Sequence, residues 1–448
     1  TSIGNMYLGP LYYYLMAPAL FLSGLSPVGP AVEIAILGII TCWLVYFLAS
    51  KWAGPVAGIV ASSVYAVSPV VIIHSHSSWN PNVMPFFSLV CIYSIWKVWK
   101  ELNFKWLIIL GISFAFVLQS HYLGLLFLPV IGIFWVLAAK SVWGNKIQRK
   151  YLILNTLYSI LFFLLLMSPL VIFDARHGWN NFEAMKIFFT NRQETVSAKP
   201  WSSIPHLWPL WEGLFVQRIM TANNYVVGNV ISLTLIIGSL WLVIKKRMKF
   251  FNSPLFLLIT WILFGIVGMA AIKQNIYDHY FGFMFAAPFI LLGMIVQKIW
   301  NANLKVVRVL LVSAVLALVI LNVIQTPIKN SPGRQLQRTE EVSRKIADES
   351  GSQPLNLAVL AERNYEDAYQ YFLEWWKYPV RDIDALRYEE TVAQQLFVVC
   401  ELPPQKCDPT HNSKAEITVF GWSKIDQEWD INGVTLYKLG HNPSGKPQ

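Results

Sequence analysis

Long apolar runs separated by short polar loops constrain this chain more than any other feature. A bilayer core of about 30 Å is crossed by ~20 apolar residues in a helix. Only 13% of the residues are charged, whereas a soluble domain carries roughly 25%. We therefore predict an all-α polytopic membrane protein with about ten transmembrane helices, at 28–49, 55–73, 83–99, 106–120, 123–139, 151–173, 226–244, 254–272, 281–300 and 306–325.

Positive charge is concentrated in alternate loops of this pattern. Those loops contain fifteen lysines and arginines and one acid, Glu101, whereas the other loops contain six basic and five acidic residues. Because basic loops face the cytoplasm, the second set of loops is expected outside. The bias also accounts for the net charge of +10, so nucleic acid is not predicted as a partner. We expect a multi-pass plasma membrane protein, and the lack of an Asn-x-Ser/Thr sequon favours a prokaryotic one.

The opening of the chain is unusual for a membrane protein. With ten spans, both ends of the chain would lie outside. The first 32 residues contain no charge, and tyrosines surround Gly9-Pro10. Such a stretch is typical of neither a signal peptide nor a membrane span. We expect an eleventh span before Thr1, with residues 1–27 as the end of the first external loop.

Residues 326–448 differ in character, with fourteen basic and eighteen acidic residues and shorter apolar runs. We predict a small C-terminal α/β domain on the extracytoplasmic side, joined by a linker at 326–334. Residues 28–325, with an external loop at 174–224, then form the membrane domain. The tail is predicted to contain strands at 355–361, 396–402, 416–420 and 433–439, and helices at 339–350 and 366–376, the second capped by Asn364.

Four cysteines are too few for a disulfide scaffold. Cys42 and Cys91 lie in apolar runs, where packing is their expected role. Cys400 and Cys407 lie in the polar tail. They would pair in an oxidising compartment, and two free thiols are the other interpretation.

All eight histidines fall on the predicted outer side, six of them at the mouths of spans. This distribution indicates a polar cavity at the outer interface. His74 and His76 could chelate a metal with His121, although no Asp, Glu or Cys accompanies them. Histidines donating hydrogen bonds at a helix end are the other interpretation, so no metal ligands are assigned and a divalent metal cofactor stays open. The outer-cavity candidates are Tyr12, Tyr13, His74, His76, Trp79, Asn80, His121 and Tyr122.

Two outer stretches combine cations, acids and histidine. "FDARHGWNN" begins where the sixth span ends, and "KQNIYDHYF" lies between the eighth and ninth spans. Arg binds phosphate bidentately and His adds a second donor. An interfacial Asp174–Arg176 ion pair and a solvated turn are the other interpretations. The candidates for binding a phosphate or substrate are Asp174, Arg176, His177, Lys273, Asp278, His279 and Tyr280.

Four motifs carry a resemblance to a known family: "GPLYYYLMAP" (9–18), "SSWNPNVMPFFSL" (77–89), "SPLVIFDARHGW" (168–179) and "YDHYFGFMFAAPF" (277–289). The first resembles a Pro-Leu-Tyr-Tyr segment after a first external loop, and the others resemble outer-face motifs. The family is the polytopic GT-C-fold glycosyltransferases that use lipid-linked sugars, including protein O-mannosyltransferases and aminoarabinose transferases. The resemblance covers most of the membrane half and implies a GT-C-like fold.

The resemblance implies that a hexosyl or pentosyl group moves from a polyprenyl-phosphate donor to an acceptor hydroxyl on the outer face. The acceptor would be a lipid, glycan or protein, and membrane lipid would surround the enzyme. The family's catalytic Asp lies in the first external loop. Residues 1–32 contain no acid, so we expect that Asp before Thr1 and assign no catalytic residue. A transporter or flippase of a lipid-linked sugar is the alternative.

Overall fold

The computed structural model describes residues 7–190, 203–273, 275–362 and 364–442. The chain divides into two units, Thr1–Lys329 and Asn330–Gln448. Parts of two predicted external loops, residues 1–6 and 191–202, lie outside the described residues.

The first unit is helical. Its first helices are α1 (Leu11–Leu22), α2 (Val28–Ala53), α3 (Pro55–Val67), α4 (Pro69–His74), α5 (Met84–Lys100), α6 (Trp106–Ser120), α7 (Phe127–Val142), α8 (Lys146–Arg176) and α9 (Asn180–Thr190). They are followed by α10 (Ile204–Pro209), a π-helical segment at Leu210–Gln217, α11 (Arg218–Met220), α12 (Tyr225–Lys246), α13 (Pro254–Ala270), α14 (Ala287–Trp300) and α15 (Lys305–Ile324).

Each predicted apolar run is helical, but not every run is one long helix. Among the described residues, six helices are long and apolar enough to cross a membrane, or seven if the bent pair Asp278–Met284 and Ala287–Trp300 is one span. Helices α1, α3, α6 and α13 are apolar but shorter. The chain is an integral membrane protein, whereas the predicted number of about ten spans is not confirmed.

The run predicted as one span at 55–73 is broken at Ser68. The backbone of Ser68 is extended, its hydroxyl accepts a hydrogen bond from the Val71 backbone N–H at 3.4 Å, and Pro69 occupies the first position of α4. Proline is favoured there because a first-turn N–H has no partner within the helix. The break therefore starts a separate short helix that ends at His74.

Helix α14 lies at the centre of the first unit, with every residue from Ala287 to Gln297 buried. A Cβ on Gly293 would overlap the backbone of Ala57 in α3. The Gln297 side chain accepts a hydrogen bond from the Ala57 N–H at 3.2 Å. Small residues let membrane helices approach closely, and buried amides add hydrogen bonds between them. Helix α14, which follows the turn Asp278–Met284, is therefore packed closely against α3.

The second unit has a four-stranded sheet in the order β1-β2-β4-β3. Strands β1 (Asn356–Leu360) and β2 (Gln395–Cys400) are parallel, and β3 (Ser423–Ile431) and β4 (Val434–His441) complete the sheet antiparallel. Cys400 and Cys407 form a disulfide with their Cα atoms 6.0 Å apart. The helices are α16 (Gln335–Ser350), α17 (Asp367–Trp375), α18 (Tyr388–Thr391) and α19 (Ala415–Phe420).

Three details of the predicted tail are wrong. Residues 416–420 form α19 rather than a strand, because Ile417 and Phe420 are buried at helical spacing. Strand β3 was not predicted, since its polar residues lie at the exposed edge of the sheet. Asn364 does not cap α17: its amide donates to the Glu401 side chain at 2.8 Å.

Candidate functional site

The candidate site lies where three short turns of the first unit meet. The turn Asp278–Met284 packs against the turns Asn80–Val83 and Tyr122–Leu126. Each turn follows or precedes a membrane helix at the predicted outer side. Distant parts of the sequence therefore bring their polar residues to one place.

Five rings form what we call the histidine cluster: His74, Trp79, His121, His279 and Tyr280. The His279 ring is central, with its centroid 4.6 Å from those of Trp79 and Tyr280, 5.9 Å from that of His121 and 6.4 Å from that of His74. The rings of His121 and Tyr280 are 4.7 Å apart. The structure thus brings together candidates from three separate stretches of the sequence.

A short hydrogen-bond chain holds His74 in place. Its Nδ1 lies 3.0 Å from Oδ1 of Asn82, and the Asn82 amide donates to the Ser77 carbonyl oxygen at 2.7 Å and hydroxyl at 2.9 Å. Asn82 is only 9% exposed, so its hydrogen bonds face little competition from water. The residues of the "HSHSSWNPN" turn therefore orient the first histidine.

His121 is held by the backbone of the turn that follows it. The Leu123 N–H donates to His121 Nδ1 at 3.2 Å. His121 lies between two membrane helices, and burial, with His279 nearby, lowers its pKa to about 4. The imidazole is therefore neutral at pH 7.

An ion pair adjoins the cluster. Arg218 in α11 donates from Nη1 to Oδ1 of Asp278 at 3.0 Å. Asp278 is also close enough to act electrostatically on His74 and His279. Arg218 was not among the candidates from the sequence. Its position, shortly before an apolar run and within a loop assigned to the outer side, was the available signal.

The Asp174 carboxylate caps the N-terminus of α9. It is 6% exposed and accepts hydrogen bonds from the backbone N–H groups of Asn181 at 2.6 Å and Phe182 at 3.1 Å. Carboxylates at a helix N-terminus satisfy unpaired N–H groups and the helix dipole. Asp174 is therefore engaged by α9 rather than by Arg176.

Asn181, in the first turn of α9, is hydrogen-bonded to Tyr7 near the start of the described chain. Its side chain accepts from the Tyr7 N–H at 2.6 Å and donates to the Tyr7 carbonyl at 3.1 Å. The Tyr122 hydroxyl donates to the same carbonyl at 2.6 Å. Because Tyr122 follows His121, these bonds place the "FDARHGWNN" corner beside the histidine cluster.

The "GPLYYY" segment is fixed by two further contacts. The Tyr12 hydroxyl is hydrogen-bonded to the Ser78 hydroxyl. Gly9 packs against the Gln119 side chain, which is 1% exposed and accepts from the Leu11 N–H at 3.3 Å. This segment therefore lies against the turn that contains Trp79 and the buried Asn80.

Several other candidates make no ring contact with the cluster among the described residues. Arg176, His177, His76 and Tyr13 are exposed. The rings of His76 and His177 bond to backbone oxygens of their own helices, at Ile72 and Phe173. Lys273 is exposed as well.

The proposed chelators His74, His76 and His121 do not come together as a metal site in the described part of the chain. Within the described ranges, no group of three or more His, Cys, Asp or Glu side chains is placed to hold a metal ion. His76, the second residue of the proposed chelating pair, is engaged by its own helix.

Residues 8–173 match the model of a family described as dolichyl-phosphate-mannose-protein mannosyltransferase. No curated protein sequence matches the chain. The crystal structure of ArnT from Cupriavidus metallidurans in the apo state is 13% identical, with a TM-score of 0.58 over 99% of this chain and 89% of that one. The same protein bound to undecaprenyl phosphate is 12% identical, with a TM-score of 0.56 over 98% and 89%.

An oligosaccharyltransferase from Archaeoglobus fulgidus, in complex with Zn and sulfate, is 11% identical, with a TM-score of 0.50 over 87% of this chain and 59% of that one. At these identities the structural matches show a shared fold. Together with the family match they confirm the resemblance found in the sequence: this chain has a GT-C-like fold, and its residues 8–173 match the mannosyltransferase family model.

Proposed function

We propose that the chain is a membrane glycosyltransferase that moves a sugar from a polyprenyl-phosphate donor to an acceptor hydroxyl on the outer face. The observation that carries the proposal is the meeting of the histidine cluster with the Arg218–Asp278 pair in a fold shared with such enzymes. The structure of ArnT with undecaprenyl phosphate supports a lipid phosphate as part of the donor.

Arg218 is the proposed contact for the donor phosphate. A guanidinium has five N–H donors, and the ion pair with Asp278 uses one of them. The remaining donors can bind phosphate oxygens. His279, a member of the histidine cluster, is the residue that follows Asp278. Because the phosphate gains negative charge as it leaves, a fixed cation stabilises the transition state more than the ground state.

Arg176, His177 and Lys273 remain further candidates for the phosphate. The proton of the acceptor hydroxyl needs a base. The described residues Asp174 and Asp278 are held by α9 and Arg218, so neither is assigned as the base.

The experiment is a release assay with the full chain in lipid vesicles. Radiolabelled undecaprenyl-phosphoryl mannose, glucose, galactose and arabinose are each supplied with cell-envelope membranes as acceptor. A transferase releases free undecaprenyl phosphate from one of these donors, whereas a flippase moves the lipid intact. Movement of intact donor across the vesicle bilayer, with no release from any donor, would favour the flippase.

The extracytoplasmic position of the second unit is also a proposal, supported by the loop charges and the Cys400–Cys407 disulfide. Leu386 is 94% exposed in this unit, and the exposed Lys150 lies near the start of α8, at the end that the loop charges assign to the cytoplasm. In intact cells, a membrane-impermeant maleimide should label Leu386→Cys and spare Lys150→Cys. The reverse pattern would place the tail in the cytoplasm.

A further inference from the structure

Two imidazoles of the histidine cluster are fixed in opposite tautomers. A backbone N–H can only donate, so the Leu123 N–H bond to His121 Nδ1 at 3.2 Å requires Nδ1 to accept. Neutral imidazole carries one proton. His121 therefore presents Nε2–H, a hydrogen-bond donor.

His74 has the other tautomer. The Asn82 amide nitrogen donates to the Ser77 carbonyl oxygen at 2.7 Å, which fixes the orientation of the amide. Oδ1 of Asn82 then faces His74 Nδ1 at 3.0 Å, so Nδ1 must donate. Neutral His74 presents Nε2 as a hydrogen-bond acceptor, and that atom has no hydrogen bond to a described residue.

Between these two lies His279, beside an exposed aromatic surface. Trp79 is 46% exposed and Tyr277 is 54% exposed, with ring centroids 4.6 Å and 5.8 Å from that of His279. Apolar ring faces beside oriented donors and acceptors match a sugar, which has C–H faces and hydroxyls that both donate and accept.

Among the described residues, the rings of the cluster and the adjoining ion pair offer little to a charged sugar. The carboxylate acting on His74 and His279 is Asp278, and Arg218 pairs with it at 3.0 Å. Asp278 is paired with Arg218, which the proposed function assigns to the donor phosphate, and His121 is neutral at pH 7 because burial lowers its pKa to about 4. An ammonium would need an unpaired carboxylate, and a uronate an unpaired cation, to offset its desolvation.

We infer that the histidine cluster is the binding site for the donor's sugar and that this sugar is a neutral hexose or pentose. One face of the sugar lies on Trp79, His74 Nε2 accepts from one hydroxyl, and His121 Nε2–H donates to another. The inference rests on the proposed function and narrows it from any lipid-linked sugar to an uncharged one.

The test is saturation-transfer NMR on the full chain in lipid nanodiscs at pH 7, with methyl glycosides as probes. The neutral probes are the methyl glycosides of mannose, glucose, galactose and arabinose. The charged probes are methyl galacturonoside and methyl 4-amino-4-deoxyarabinoside. We expect at least one neutral probe to bind at least about tenfold more tightly than both charged ones, since desolvating an uncompensated charge costs more than the ~1.4 kcal/mol that corresponds to tenfold in affinity. Equal or tighter binding of a charged probe, or no binding of any neutral probe, would overturn the inference.

Variants assign the binding to the cluster. His74→Phe and His121→Phe keep a ring and remove the nitrogens, and Trp79→Ala removes the ring face. Each should weaken the bound neutral probe about tenfold or more. His206→Phe, at an exposed histidine in α10, is the matched control and should bind as the wild type does. Unchanged binding in all three cluster variants would contradict the assignment.

A displacement experiment distinguishes a donor site from an acceptor site. It also distinguishes failure of this inference from failure of the proposed function. The undecaprenyl-phosphoryl form of the same sugar should displace the bound methyl glycoside. If it does not, the site belongs to an acceptor glycan and the donor assignment is overturned. If neutral glycosides bind and are displaced but no undecaprenyl phosphate is released, the proposed function fails while the sugar site stands.

Discussion

Arg218 and Asp278 are joined by a hydrogen bond of 3.0 Å between Nη1 and Oδ1, across 60 positions of the sequence. Both side chains are partly exposed, at 41% and 33%, so the pair is accessible from the cluster. Exposed pairs of this kind stabilise a fold by ~1 kcal/mol or less. The pair is therefore better explained as an orienting contact for a guanidinium that binds substrate than as a support for the fold.

We predict that Arg218→Ala lowers kcat for transfer by about 10²- to 10³-fold, the usual loss when one group that stabilises transition-state charge is removed. Arg218→Lys should retain part of the rate, because it keeps the charge but loses the planar fork. The rates are measured as undecaprenyl phosphate release, with thermal unfolding in detergent to verify folding.

Arg176→Ala is the informative comparison. Arg176 is exposed, and water screens its charge more than that of the half-buried Arg218, so we expect a smaller loss of kcat. Lys186→Ala is the control for loss of an exposed cation, since the exposed Lys186 forms an ion pair with Glu183 of the same helix. A larger loss for Arg176→Ala than for Arg218→Ala would move the phosphate site to the end of α8.

Gly9→Ala should destabilise the first unit by about 1–3 kcal/mol, the usual cost of overpacking. A Cβ at position 9 would overlap the Gln119 side chain, which a hydrogen bond to the Leu166 carbonyl at 2.9 Å holds in place. The control is Gly132→Ala in α7, where no heavy atom lies within 4 Å of the added Cβ. Because alanine favours a helix over glycine, the two variants should shift the unfolding temperature in opposite directions. Equal shifts would show that the Gln119 contact is not tight.

The sequence predicted which segments form the site better than it predicted which side chains contact each other there. Apolar runs mark where helices end, so His74, His121 and His279 were expected at the outer ends of spans. Their meeting depends on which helices are neighbours, and hydropathy contains no such information. The Arg218–Asp278 pair was missed for this reason, since each residue alone is an ordinary loop charge.

Residue propensities also gave a wrong secondary structure for two segments of the second unit, because packing determines their conformation. The "EITVF" run has β-branched residues, yet Ile417 and Phe420 both reach the core of the second unit from one helix face. Strand β3 has mostly exposed residues and pairs with β4 through its backbone, so it has no apolar alternation to detect. Tertiary contacts outweigh propensity in both segments.

Asp174→Ala should cost about 1–2 kcal/mol of stability, because the N–H groups of Asn181 and Phe182 lose their acceptor. Asp174→Asn keeps an oxygen at the same place and should recover part of this loss. Hydrogen exchange at the two amides is the measurement, with faster exchange expected in the alanine variant. Unchanged exchange in Asp174→Ala would mean that the carboxylate does not cap α9.

His121 should make stability depend on pH. Its pKa is lowered from 6.5 to about 4 in the folded chain, so the unfolded chain binds more protons between these values. Stability is then complete above pH 6.5 and is lost as the pH falls toward 4. His121→Asn should flatten this dependence, because Asn can accept the Leu123 N–H without titrating. Unfolding temperatures in detergent from pH 4.5 to 7.5 measure the difference, and parallel curves for the two proteins would show that His121 is already charged or already exposed in the folded state.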